Sequence, residues 1–460
     1  MVNHTSTVGE IAQRCGGRIT SGDSSMIVKT ITTDSRELGE NNLFVPLVGE
    51  MFDGHDFIVP LLKTRCIGSF LTMRPGYTEE AAARDISEIR CDDTLKALGA
   101  IAAHHRNRID PKVIGITGTS GKTTTKELIF ALLGAAGKCL KNEKNYNNEI
   151  GVPMTLLGLN VSHETAVIEM GMNHPGELDR LSRIVKPDLA VVTNVGEGHL
   201  EFLGTLENVA AAKSEVMNGM RKGSTILLNR DMKCLDIIAQ KAAVLGLRVR
   251  TFGLAGPADV HPDDYALYRD CVTLVFDGVE LRVPLYGIHN AYNAVAAVAA
   301  AREYGVPLHN MREALARFKS VEGRSRVIDR GYLVIDDSYN SNPLSLLFAL
   351  RSAREIFPGR RKIAALSDMK ELGDSAPLHH RQGGRAAVEN GFEMLLVWGD
   401  MAGFYAEGAA GAGLAPDTIR RFETGDDLAA YLMKIIRDDD VVLVKGSRAM
   451  KMEDVVAKIT

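Results

Sequence analysis

The chain has 460 residues, 45% hydrophobic and 24% charged, with a formal net charge of -4. That length exceeds one ordinary core and predicts about two to four domains with sites in the clefts between them, while the near balance of charge argues against a general nucleic-acid binder. The six cysteines, Cys15, Cys66, Cys91, Cys139, Cys234 and Cys271, lack C-x-x-C spacing, so neither a zinc site nor a disulfide framework is expected and they read as reduced core residues. MVNHTSTVGEIAQRCGG has no apolar signal core and no later run has the length of a membrane span, which predicts a cytoplasmic protein.

In chain order, IVKTITTDSREL, NNLFVPLVG and IGSFLTMRPG alternate short apolar runs with turns, predicting a small α/β domain. DDTLKALGAIAAHHRNRI, Asp92 to Ile109, carries leucine, alanine and isoleucine at helical spacing after acidic residues that suit a helix start. The first boundary is placed beside it, giving a domain of residues 1–95. From VIGITG onward, TAVIEMG, LAVVTNVG and STILLN recur between helical stretches, the pattern of a parallel sheet with crossover helices. The alanine-rich YGIHNAYNAVAAVAAAREYGV closes this central domain, residues 96–322. After a change at SVEGRSRVIDRG, the runs GYLVIDDSYNS, RKIAALSDM, EMLLVWG and DVVLVKGS alternate with helices again, predicting a third domain of parallel-sheet type over 323–460. The pairs His104-His105 and His379-His380 fall in polar helical segments and read as surface residues.

GITGTSGKTTTKELI, Gly115 to Ile129, departs from the common triphosphate loop G-x-x-x-x-G-K-[ST], because Ile116 stands where the first glycine belongs. The strand KVIGIT, a glycine turn and the helix KTTTKELIFALLGAAG nonetheless give the arrangement that points backbone N–H groups at an anion. Gly118 and Gly121 let the backbone approach phosphates without a Cβ, Lys122 meets the β and γ oxygens, and Thr123 offers its hydroxyl to Mg²⁺. Thr119, Ser120 and Thr124 complete the loop. A structural turn with a solvated lysine accounts for the glycines but not for G-K-T-T at the mouth of a helix.

A triphosphate site also needs a metal. Glu169 in AVIEMGMNHPGEL and His199 in VVTNVGEGHLEFLG each follow an apolar strand, where the carboxyl ends of parallel strands place ligands. With Thr123 they form a candidate set for a hard cation, the oxygen donors carrying more weight than the imidazole. Asn290 and Asn293 in HNAYN lie three apart on one helical face, where amides reach an adenine or ribose.

These stretches, together with NYNNEIGVPMTLL, NVGEGHLEFLGTLENVAAAKSEV, GIHNAYNAVAAVAAA and DDSYNSNPLSLLFAL, stand in an order and spacing that resembles the Mur ligases over essentially the whole chain. The shortened loop is that family's form. Within the family the resemblance is to the branch that adds D-alanyl-D-alanine. DDSYNSNP resembles its D-x-Y-N-A-N-P with Ser341 in place of alanine, and ALSDMKELG resembles its G-D-M-x-E-L-G with Ser367 in place of the first glycine. D-N-P-R, the signature of the diaminopimelate-adding sister enzyme, is absent.

The resemblance implies a three-domain α/β architecture. A small α/β amino-terminal domain would hold the uridine nucleotide, a central P-loop ATPase-type parallel-sheet domain would hold ATP, and a Rossmann-like carboxyl-terminal domain would close over both from a hinge around SVEGRS. It implies a monomeric ATP-dependent amide ligase of peptidoglycan synthesis. ATP would phosphorylate the terminal carboxylate of UDP-N-acetylmuramoyl-tripeptide, and the amine of D-alanyl-D-alanine would attack the acyl phosphate, releasing ADP and phosphate.

The resemblance further implies two Mg²⁺ ions, one at Thr123 and Glu169 and one at His199, with a carbamylated Lys213 as a metal ligand. It directs Arg324 at the γ-phosphate, with Arg326 a lesser candidate, and sets Asp337, Tyr339 and Asn340 on the nucleotide from the third domain. Asn147 and Asn148 would lie by the phosphates and the substrate carboxylate, and Ser35 and Arg36 in TTDSREL would contact the uridine nucleotide, followed by GEMFDGHDFI with a structural His55. The uridine-type first domain argues against a folylpolyglutamate synthetase. A phosphate-loop NTPase switch is the alternative from another class, distinguished by hydrolysis that needs neither carboxylate nor amine.

Overall fold

The computed structural model describes residues 6–39, 41–64, 67–319 and 323–460. Cys66 and the first half of the junction SVEGRS, with the expected boundary at residue 322, lie outside them.

Five short strands form the first sheet, in the order Arg18–Ser21, Ser87–Arg90, Ser69–Thr72, Asn42–Phe44 and Thr30–Thr32. All neighbours are parallel except Arg18–Ser21 with Ser87–Arg90. Ile31, Leu43, Leu71 and Ile89 from this sheet join Val8 and Ile11 of the helix Val8–Cys15 in one core, which Leu98 and Ile101 of the helix Thr94–Ile109 extend into the central domain. Asp93 caps that second helix by accepting from the N–H groups of Leu95 and Lys96, as the acidic pair before it leads one to expect.

The histidine pairs need correction. Helical neighbours project about 100° apart, so one of each pair turns inward: His105 is 1% and His380 0% exposed. His105 Nε2 lies 2.8 Å from the carbonyl oxygen of Leu159, and His380 Nε2 accepts from the Met369 N–H at 2.9 Å.

The central sheet has six parallel strands, in the order Arg248–Phe252, Thr225–Asn229, Leu189–Val192, Lys112–Thr117, Thr165–Glu169 and Cys139–Lys141. The chain enters at Lys112–Thr117, runs to the edge strand Cys139–Lys141, returns to Thr165–Glu169 between them, then crosses to Leu189–Val192 on the other side. Such a reversal leaves a crevice at the carboxyl end of the strand where it occurs. The alanine-rich helix Ile288–Glu303 is buried on nearly every side and packs on the helix Lys122–Gly134, its small side chains permitting close approach.

One element departs from the all-parallel expectation. Asp264–Leu267, Val272–Phe276 and Val279–Val283 form a separate antiparallel sheet. Its signal is Asp277-Gly278, whose φ angles of 50° and 73° suit the two-residue hairpin turn that Asp-Gly favours.

The third sheet runs Arg326–Asp329, Leu333–Asp337, Val441–Lys445, Lys362–Ser367, Met394–Trp398 and Ile419–Phe422. It is parallel apart from its first strand, with a hydrophobic cluster on each face. No helix among the described residues is long and apolar enough to cross a membrane. The described cysteines are free thiols, but Cys15, Cys139 and Cys234 are only half-buried, so the expectation of core positions holds for Cys91 and Cys271 alone.

Candidate active site

The carboxyl ends of the central and third sheets open onto one cavity of about 620 Å³. The loop Thr119–Thr124, Glu169 and Asn293 line it from one side; Arg324, Asp337, Tyr339, Asn340 and Lys445 line it from the other.

The loop after Thr117 requires its glycines. Gly118 and Gly121 have φ of 148° and 81°. A Cβ on Gly118 would stand 1.9 Å from Thr193 Oγ1, and one on Gly121 2.3 Å from Asn293 Oδ1. The Ser120 N–H donates to Asn194 Oδ1 at 2.9 Å and Thr193 Oγ1 donates to the Ser120 carbonyl at 2.6 Å, which fixes the loop to the neighbouring strand end. The helix that follows has no side-chain cap, so its first N–H groups are left for an anion. Lys122 Nζ donates to the carbonyls of Gly118 and Thr119 at 2.8 and 3.3 Å. Burial draws its pKa below the ordinary lysine value, Glu169 opposing the shift and Arg324 adding to it. The rest of the first turn is buried, and Lys126 Nζ donates to the carbonyls of Asn142 and Lys144 at 2.7 and 3.1 Å.

Glu169 is 2% exposed and held from every side. Its carboxylate accepts from Thr123 Oγ1 at 2.9 Å and from Asn147 Nδ2 at 2.7 Å, while Asn142 bonds both its N–H and its carbonyl. Asn148 does not join the cavity; its side chain accepts from the N–H groups of Ile150 and Gly151 at the start of the helix Gly151–Leu156. Among the described residues no group of three His, Cys, Asp or Glu forms a ready metal cage. A hydroxyl and one carboxylate are nonetheless the oxygen donors that suit Mg²⁺ when phosphates and water complete its shell.

His199 and Lys213 come together near Lys122. His199 Nδ1 lies 2.7 Å from Glu371 Oε2. Burial lowers the imidazole pKa, with Glu371 raising it and Lys213 and Lys122 lowering it further. Lys213 is 1% exposed and has no ion-pair partner among the described residues, and burial, reinforced by Lys122, holds its pKa well below the lysine range.

Asn290 and Asn293 are buried on the cavity wall, but their amides are engaged. Asn293 Nδ2 donates to Asn290 Oδ1 at 3.0 Å, Asn290 Nδ2 to the Tyr286 carbonyl at 2.8 Å, and Thr125 Oγ1 to Asn293 Oδ1 at 3.3 Å. The pair thus braces the helix after the phosphate loop through Thr125 and packs closely against Gly121. Across the cavity the Arg324 guanidinium stands 4.1 Å from the centroid of the Tyr339 ring, a cation–π arrangement, whereas Arg326 is exposed on an edge strand. Lys445 Nζ donates to Asp337 Oδ2 at 2.5 Å and to the Asn340 carbonyl at 2.9 Å, and Ser325 donates to Asp337 Oδ1. Burial by itself would raise the Asp337 carboxyl; Lys445 and His289 hold it below the ordinary value.

Lys445, Asn194, His289 and Glu371 take part here without having been singled out from the sequence. Lys445 had a signal, a lysine closing the apolar strand DVVLVKGS. Ser35 and Arg36 belong to the first domain and do not line the cavity; Arg36 is 86% exposed and pairs with Asp34 at 2.6 Å, which pulls the Asp34 carboxyl down to about 2. His55 is fully buried, 2.6 Å from Asp53 and accepting from the Met73 N–H, a structural role as expected.

Residues 116–301 match the Mur ligase middle domain and residues 323–448 the Mur ligase glutamate ligase domain. A Bacillus subtilis (strain 168) protein named UDP-N-acetylmuramoyl-tripeptide--D-alanyl-D-alanine ligase is 33% identical over 98% of this chain and 97% of its own. The chain belongs to the Mur ligase family. Among solved Mur ligase structures, MurF from Acinetobacter baumannii superposes with a TM-score of 0.91 at 30% identity, covering 100% of this chain and 99% of that one. MurF ligase from Thermotoga maritima, solved in complex with ADP, superposes with a TM-score of 0.81 at 27% identity over 94% and 96% of the two chains. The family's three-domain α/β architecture is the one seen here.

Proposed function

We propose that this chain joins D-alanyl-D-alanine to UDP-N-acetylmuramoyl-tripeptide with ATP, making the pentapeptide precursor of peptidoglycan and releasing ADP and phosphate. The observation that carries this reading is the one cavity shared by a phosphate loop and by the DDSYNSNP segment of the third domain, in a chain whose full-length relative bears that ligase name. We divide the chain into a uridine-nucleotide domain over 1–95, an ATP domain over 96–322 and a ligase domain over 323–460, each built around its own main sheet. We assign a monomer working in the cytoplasm, where ATP is available.

The tripeptide carboxylate attacks the γ-phosphorus, forming a new P–O bond as the bond to the β-phosphate oxygen breaks. The amine of D-alanyl-D-alanine then attacks the acyl carbon, forming the C–N bond as the C–O bond to phosphate breaks, and the nitrogen loses a proton as phosphate leaves. Bringing a carboxylate to a triphosphate sets like charges together, a repulsion of about 4 kcal/mol per pair at contact for an effective dielectric of about 20. Cations must offset it. The loop N–H groups of Gly118, Gly121 and Thr124 and the Lys122 ammonium cradle the phosphates, Thr119 and Ser120 shape the loop with their N–H groups held by Asn194, and Arg324, stacked on Tyr339, approaches from the third domain.

We assign one Mg²⁺ to Thr123 and Glu169 and a second to His199 and Lys213; bound there, the ions supply charge stabilisation to the transferring phosphoryl group. Lys213 suits carbamylation. Burial favours its neutral amine, which adds to CO₂ with formation of an N–C bond and loss of a proton, leaving an anionic oxygen donor beside Lys122 and His199. Asn147 orients the substrate carboxylate and Asn148 shapes that wall through its helix cap. Asn290, Asn293, Asp337 and Asn340 hold the nucleotide side, and Ser35 and Arg36 receive the uridine nucleotide.

The test is ADP release with each substrate omitted in turn. A ligase sustains turnover only with tripeptide and D-alanyl-D-alanine both present. Sustained release with neither would instead mark an NTPase switch.

A further inference from the structure

We propose that Glu371 is the positioning carboxylate for His199, so that the second cation site is completed only when the third domain closes. The inference rests on the ligase reading above and adds how that site is assembled. His199 follows the central strand Leu189–Val192, and Glu371 follows the third-domain strand Lys362–Ser367, so their contact spans two domains.

The contact is built, not incidental. Glu371 Oε2 is 2.7 Å from His199 Nδ1, and the Glu201 N–H donates to the Glu371 carbonyl at 3.1 Å, giving two points of attachment. Gly373 seals the joint, since a Cβ there would stand 3.1 Å from Glu201 Cα. His199 and Glu371 both hold left-handed backbone, with φ of 58° and 65°. Non-glycine residues adopt that conformation rarely, and it persists where the surroundings fix it.

His199 Nδ1 is buried with no aligned hydrogen-bond acceptor, and the Glu371 oxygen already stands within hydrogen-bond distance of it. With Nδ1–H engaged, the tautomer is set and Nε2 presents its lone pair for a cation. A carboxylate behind a histidine ligand orients the ring, and removing it typically weakens metal binding 10- to 100-fold. Glu371 is 48% exposed, so replacing it spares the core.

The test is a Mn²⁺ titration of the full chain by electron paramagnetic resonance, with β,γ-methylene-ATP and UDP-N-acetylmuramoyl-tripeptide present. Wild type is expected to bind two Mn²⁺ ions. Glu371→Ala should weaken one of them by roughly 10- to 100-fold with an unchanged melting temperature, and Glu371→Gln, whose Oε1 still accepts from Nδ1–H, should recover most of that affinity. Affinities within about twofold of wild type at both ions in Glu371→Ala overturn the inference and leave the ligase reading standing, as does an equal loss in both variants. A wild type that binds fewer than two ions overturns the two-cation site and this inference together.

Discussion

Ser120 of the phosphate loop and Asn342 of the third domain, 222 residues apart in sequence, are joined by a hydrogen bond of 3.0 Å from the Asn342 amide to the Ser120 hydroxyl. Asn342 also caps the helix Pro343–Ile356, accepting from the Ser345 N–H at 2.9 Å. One side chain therefore starts a helix and ties its domain to the nucleotide loop. Ser120→Ala removes the tie and leaves the cap. Small-angle scattering of the unliganded variant should give a larger radius of gyration than wild type, with stability lowered by no more than about 1 kcal/mol. Wild type should contract on addition of an ATP analogue and muramyl substrate. Superimposable scattering from variant and wild type would show that closure does not depend on this bond.

Among the described residues the hydrogen bonds of Lys122 Nζ go to carbonyls of its own loop, so its removal takes away charge at the phosphates without opening a core. Lys122→Ala should reduce ADP formation by about a hundredfold or more, as loss of a charge-stabilising donor does, with a melting temperature close to wild type. Near-normal turnover in that variant would reject the phosphate-cradle assignment.

Lys213→Ala should be inactive. Because the proposed carbamate supplies an anionic oxygen, short carboxylic acids added to the variant should restore part of the turnover. Restoration by short amines instead would mean that Lys213 acts as a cation.

His289 carries a pH signature. Its Nε2 lies 2.8 Å from the Ser325 hydroxyl, and burial, opposed by Asp337 and reinforced by Lys445, pushes its imidazole down to about 4. Between that value and about 6.5 the unfolded chain binds a proton that the folded chain does not, so stability falls as pH falls through this window. Urea unfolding of wild type should weaken on going from about pH 7 to about pH 5 more steeply than that of His289→Asn. Equal slopes for the two proteins would contradict the depressed imidazole.

How much of this was legible in the sequence follows the range of the interactions. Gly118, Gly121, Lys122 and Thr123 act within one turn of chain and could be read from their order, as could the alternation of strand and helix that gives the central and third sheets. Asp277-Gly278 is equally local, joining the last two strands of the antiparallel sheet, but the apolar runs around it suggest parallel strands and mask its signal. His105 and His380 look like surface residues by the polarity of their segments, but helical direction turns both inward. Asn147 and Asn148 are adjacent and look alike, yet one amide faces Glu169 and the other caps a helix, a difference fixed by where the helix begins. The partnership of Lys445 with Asp337 spans 108 residues, and that of Glu371 with His199 joins two domains. Contacts of that kind become visible only when the sheets face each other.

The most direct test of the central claim is to mix the protein with ATP, Mg²⁺, D-alanyl-D-alanine and each UDP-N-acetylmuramoyl-tripeptide, lysine- or diaminopimelate-containing, and to follow the products by mass spectrometry. The account predicts a UDP-N-acetylmuramoyl-pentapeptide appearing with one of the tripeptides at least, in step with ADP and phosphate and absent when D-alanyl-D-alanine is withheld. ADP accumulating at the same rate without any pentapeptide, from a protein that binds both substrates, would contradict it.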